Sequence, residues 1–101
     1  MMKRFEIWDA YVKFEESDEV KRRPVLIWNK SAFVVAYKMT GTNRGDNREE
    51  FVVRYWKEAG LIKPTSIRIA KVLRLEESDL IQRIGELDDR DKLRFSLRIV
   101  G

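Results

Sequence analysis

The chain contains no cysteine and no histidine. Without thiols there are no disulfides and no thiol nucleophile. Without imidazole there is no Ser-His-Asp triad, none of the paired-histidine acid–base chemistry common in nucleases, and no Cys/His zinc site. Proline (two residues) and glycine (five) are scarce, and no linker, internal repeat or low-complexity tract divides the sequence. Its 101 residues therefore read as a single domain, 1–101, with room for one core and one site. No apolar run approaches the roughly 20 residues of a membrane helix. The start, Met1-Met2-Lys3-Arg4-Phe5-Glu6, lacks the apolar stretch of a signal peptide, so the expectation is a cytoplasmic protein without membrane association. What is present is 44% hydrophobic and 38% charged, enough for a core beneath a charged surface. Any catalysis must run on Arg, Lys, Asp, Glu, Ser, Thr or Tyr.

The formal charge of +4 is unevenly spread: residues 1–30 carry +1, residues 31–75 carry +5 and residues 76–101 carry −2. A basic middle suits a phosphate-bearing partner, because Lys and Arg along a groove release counterions on binding. A merely solvated surface has the same composition, and charge alone leaves both readings open.

Alternation at period two places Trp8, Ala10, Val12 and Phe14 on one face of a strand over residues 5–14. The acidic stretch 15–19 and the basic cluster Lys21-Arg22-Arg23 follow as an exposed loop, and Pro24 opens an apolar strand over 25–28. A turn at 29–31 leads into a β-branched and aromatic strand, 32–40, completing an antiparallel hairpin. The turn-former-rich segment 41–47 is a loop. Further strands are expected at 50–54, 65–75 and 80–87, with one helical turn at 55–59 closed by Gly60 and a turn or 3₁₀ piece at 76–79. Asp88 caps a terminal helix, in which Leu93, Leu97 and Val100 share one face, widened by Phe95 and Ile99; packing of that face onto the core is the default expectation. The class is mainly β (α+β), a small barrel of about five to seven strands with a C-terminal helix.

Several pieces, taken in order, carry a resemblance across most of the chain. They are Phe5-Glu6-Ile7-Trp8-Asp9-Ala10; Lys21-Arg22-Arg23-Pro24-Val25-Leu26-Ile27; Lys38-Met39-Thr40 ending a strand; the stretch from Glu58 to Arg68; and the run from Ile84 to Asp91. In this order they resemble the MazF/PemK family of toxin ribonucleases from bacterial type II toxin–antitoxin pairs, the stretch from Glu58 resembling the PemK-like branch in particular. The resemblance implies an SH3-like β-barrel that forms a homodimer. It also implies an endoribonuclease that cuts single-stranded RNA (mRNA) at short sequences, needs neither metal nor cofactor, and is blocked by a cognate antitoxin peptide.

By the same resemblance, Arg23, directly before Pro24, stands where the family keeps its catalytic Arg, and Thr40 where it keeps its catalytic Thr or Ser. The implied reaction is attack of the ribose 2′-OH on the adjacent phosphorus with expulsion of the 5′-oxygen, leaving a cyclic phosphate. A guanidinium forks onto phosphoryl oxygens and holds charge in the transition state, while a Thr hydroxyl donates to the same oxygens. Arg22, Lys38, Arg44, Lys63, Thr65, Ser66 and Arg68 are candidates for contacts to the RNA. The sequence departs from the family in two places. Where plasmid-type members carry an acidic residue, the stretch Lys63-Pro64-Thr65 has none, so the general base is open between a carboxylate of the 15–19 loop and positioning alone. That acidic loop also replaces a Gly- and Gln-containing one that helps to select the RNA. Two rivals accompany the reading. One is a non-catalytic nucleic-acid-binding or regulatory module of the same fold. The other is a gyrase-directed toxin, whose working Trp near the C-terminus is missing from Arg98-Ile99-Val100-Gly101.

Overall fold

The computed structural model describes residues 2–13, 18–41 and 49–100. Six strands follow one another as β1 (Glu6–Lys13), β2 (Val20–Lys30), β3 (Val34–Thr40), β4 (Glu50–Val52), β5 (Ser66–Leu75) and β6 (Leu80–Glu86). A 3₁₀ turn (Glu77–Asp79) precedes β6, and helix α1 (Asp89–Val100) ends the chain. The strands form one antiparallel sheet in the order β4-β5-β3-β2-β1-β6, and among the described residues no pairing joins β4 to β6, so the sheet is not closed into a complete barrel. No helix among the described residues is long and apolar enough to cross a membrane.

Each face of this sheet carries a buried apolar cluster. Side chains alternate along β2, so Leu26 joins one apolar cluster while Val25 and Ile27 join another. The first cluster is sealed by α1, whose Phe95 stacks edge-on against Tyr37 and Phe51 at centroid distances of 5.3 and 5.2 Å. The second, built on Ala10, Val12, Val34, Ala36 and Leu75, has no helix over it and lies within the fold of the sheet itself. Trp28 stacks on Phe5 and on Phe95, and Trp56 packs at the edge of the first cluster.

Two expectations need correction. Residues 21–23 do not lie in a loop, because β2 begins at Val20 and carries Pro24 in its interior. Pro24 is tolerated there because the β2–β3 ladder has already ended at the pair Val25–Lys38, and toward that side the strand needs no N–H. Nor is the stripe of Leu93, Leu97 and Val100 packed into the core: these residues are 64%, 64% and 87% exposed. The face turned inward holds Asp91, Phe95 and Ile99 instead. Pattern alone cannot choose between two apolar faces on one helix.

Helix α1 begins where Asp88 Oδ1 accepts the Arg90 N–H at 2.9 Å, satisfying a donor at the helix start. Its first turn also reaches across the molecule. The fully buried Asp91 accepts the backbone N–H of Tyr55 (2.8 Å) and of Arg54 (3.4 Å) and pairs with Arg94. Residues 54–60 thereby dock as a turn closed by the Ala59 N–H to Tyr55 carbonyl bond, and Gly60 adopts φ +90°. The turn lies so close to β6 that a Cβ on Gly85 would stand 2.0 Å from the Ala59 carbonyl oxygen. This docking fixes the origin of the segment that carries Lys63 and Thr65.

Candidate active site

Two ladders compete for the ends of β2 and β3. After the pair Val25–Lys38, β2 stays with β1, setting Pro24 against Asp9, Arg23 against Ala10 and Arg22 against Tyr11. Strand β3 turns toward β5, setting Met39 against Ile67 and Thr40 against Ser66 after a register shift beyond Tyr37. Had the β2–β3 register continued, Arg23 would face Thr40 two pairs further on. The strands part instead, and an open cavity of about 390 Å³ occupies the gap. Arg22, Arg23 and Pro24 form one wall, and Met39, Thr40 and Gly41 form the other. Lys63 and Thr65 close the end, brought there by the docked turn.

The guanidinium of Arg23 donates to the Arg22 carbonyl at 2.9 Å, which holds its root against the strand. Arg22 reaches back to Asp9, with Nε and Nη2 at 3.2 and 3.0 Å from Oδ2, so its charge on the cavity rim is partly countered by a carboxylate that sequence reasoning had not singled out. The register holds the signal for it: Asp9 is the diagonal neighbour of Arg22 across the β1–β2 ladder. Thr65 is buried and donates its hydroxyl to the Lys63 carbonyl at 2.9 Å, fixing the backbone from which Lys63 projects. Gly41, also missed, lies directly under Lys63: a Cβ there would stand 2.5 Å from Cε and 2.8 Å from Nζ.

The other sequence candidates are less central. Ser66 is buried opposite Thr40, and its Oγ has no hydrogen-bond partner; it backs the site and does not line the cavity. Lys38 sits in β3 opposite Val25, and Arg68 in β5 opposite Glu50, both outside the cavity lining. Arg44 and most of the 15–19 loop lie outside the described residues. The described part of that loop is engaged elsewhere, Asp18 with Lys13 and Glu19 with Lys21, each at 3.6 Å. Among the described residues the cavity lining holds three cations and no carboxylate. No three side chains of the described set are gathered as metal donors. The arrangement thus suits an anion with several acceptor oxygens, gripped from two strands at once.

The six-stranded antiparallel sheet with one closing helix matches the fold of a MazF toxin. The chain is similar to the Mycobacterium tuberculosis toxin MazF-mt6 over 93% of its own length and 91% of that chain, at 24% identity and a TM-score of 0.74. It is also similar to a mycobacterial endoribonuclease solved in complex with its cognate antitoxin, over 99% and 92% of the two chains, at 15% identity and a TM-score of 0.78. No protein-family model and no curated protein matches the sequence.

Proposed function

We propose that this protein is a metal-independent, sequence-selective endoribonuclease that cleaves single-stranded RNA in the cytoplasm, as the toxin of a type II toxin–antitoxin pair. The observation that carries the reading is the meeting of Arg23 and Thr40 on opposite walls of one cationic cavity, where two strands separate. The likeness to a solved endoribonuclease bound to its antitoxin supports it. Arg23 binds the scissile phosphate and stabilises the charge that builds on its oxygens as the 2′-oxygen attacks, and Thr40 donates a hydrogen bond to the same group. Arg22 holds the flanking backbone, and Lys63 closes the end of the cavity beside the scissile group.

The exposed stripe on α1 supports the protein partners. Three large apolar side chains in water beside a groove lined by Arg54, Arg94 and Arg98, with Glu50 as its single carboxylate among the described residues, suit a second copy of the chain on the stripe and an acidic antitoxin segment on the net cationic surface.

Incubation with a long single-stranded RNA in excess EDTA tests the activity. Wild type is expected to cut at a small set of sites, and Arg23→Ala to be slower by roughly 10²–10³-fold, as for loss of a donor to a developing oxyanion. Intact RNA with the wild type would sink the nuclease reading and leave a non-catalytic RNA-binding module, the reading favoured by a cavity lining with no carboxylate. Equal cutting by the variant would remove Arg23 from the reaction.

A further inference from the structure

The reaction proposed above makes two demands that Arg23 meets unequally. Charge on the phosphoryl oxygens needs a cation, and the departing 5′-oxygen needs a proton. A guanidinium serves the first and resists the second, since it does not give up its proton in proteins; an ammonium does so far more readily. Of the side chains lining the cavity, Arg22 and Arg23 are guanidinium groups, Thr40 and Thr65 are neutral hydroxyls, and Pro24, Met39 and Gly41 bring no acid. Among the described residues, Lys63 is what remains. Its backbone carbonyl is held by the Thr65 hydroxyl, and the end of its side chain crosses Gly41, the residue after Thr40, so closely that a Cβ there would have to push the Lys63 tip aside. The crossing carries the ammonium toward the Thr40 wall of the cavity.

Resting on the ribonuclease reading, we propose that Lys63 is the general acid of the reaction and that Gly41 is its positioning residue. The ribose 2′-oxygen bonds to phosphorus and its proton passes to water. The P–O5′ bond breaks, and the Lys63 ammonium gives its proton to O5′, releasing a 5′-hydroxyl and a 2′,3′-cyclic phosphate. The neutral amine then takes a proton from water, so the cycle neither consumes nor releases protons and requires no co-reactant.

A short RNA with a single cleavage site is made in two forms, one with the natural 5′-oxygen and one with sulfur at that bridging position, a leaving group that departs as thiolate without being protonated. Lys63→Arg keeps the charge and loses the transferable proton. On the oxygen substrate it is expected to lower kcat by about 10²-fold or more while KM stays within about threefold. On the sulfur substrate it is expected to cut at the wild-type rate. Gly41→Ala, which displaces Lys63 without removing it, is expected to show the same split at smaller size, about tenfold on oxygen and none on sulfur. Arg23→Ala is expected to be slow on both. Equal losses for Lys63→Arg on both substrates, or no loss on oxygen, would overturn the assignment while leaving the nuclease reading intact. A wild type that cuts neither substrate would overturn both.

Discussion

Glu6 is buried at the start of β1, and its carboxylate accepts hydrogen bonds from the Trp8 indole (3.1 Å), the Lys3 backbone N–H (3.0 Å) and Arg83 (3.0 Å). Burial pushes its pKa up, but these donors outweigh burial and hold it below the ordinary carboxylate value. The ionised form is therefore favoured by folding. Its stabilising effect is complete above the unfolded-state value, about pH 4, and is lost as pH falls through the lower folded-state value. Glu6→Gln is expected to cost about 1–3 kcal/mol at pH 7, because the donors remain and the charge does not. Thermal melts between pH 7 and pH 3 check the sign: wild type is expected to lose Tm below about pH 4.5 more steeply than the variant. At this scale the sequence was readable where a side chain's task is local, as with the Asp88 cap, and silent where the partner is remote. Nothing near Asp91 in the sequence announces Arg54 and Tyr55 as its hydrogen-bond donors.

Among elements, the turn at 54–60 matters beyond its size. It is clamped from one side by Asp91 of α1 and from the other by backbone contact with Gly85 of β6, and it delivers Lys63 and Thr65 to the cavity. Gly85→Ala must push the turn away from β6, since the obstructing atoms are backbone. We expect a stability loss of about 2–4 kcal/mol, in the range of overpacked or strained sites, measured by urea denaturation. In material still folded, nuclease activity is expected to fall with it. Most elements were legible from periodicity and turn residues, including all six strands and the terminal helix. The start of β2 was not, because Pro in a sequence signals an edge or a beginning. Here the edge is made locally, by β3 leaving the ladder in the middle of β2. The helix face was misread for a related reason: its buried side includes a charged residue, Asp91, and its exposed side is leucine and valine.

For the whole molecule, Leu93, Leu97 and Val100 leave an apolar band on the outside of a 101-residue chain with a basic surface. If this band is where two copies meet, stability is linked to protein concentration, since a dimer of folded chains draws the equilibrium away from unfolded monomers. Wild-type Tm is expected to rise by a few degrees over a hundredfold increase in concentration, and Leu97→Lys is expected to abolish that rise and sediment as a monomer. A concentration-independent Tm with monomeric wild type would remove the band as a dimer surface. The site as a whole was legible only in part. Arg23 and Thr40 lie 17 positions apart, and what brings them to one cavity is the point where the β2–β3 register ends, a property of paired strands that no single segment carries.

That register has a last consequence at Pro24. For β2 and β3 to zip together past Val25 and Lys38, the next position would have to supply an N–H, and proline has none. Past that pair β2 offers no N–H at Pro24 to a continuing ladder, which favours the separation of the strands seen at the cavity. A cleft preformed in this way has its ordering cost met when the protein folds, before a ligand arrives.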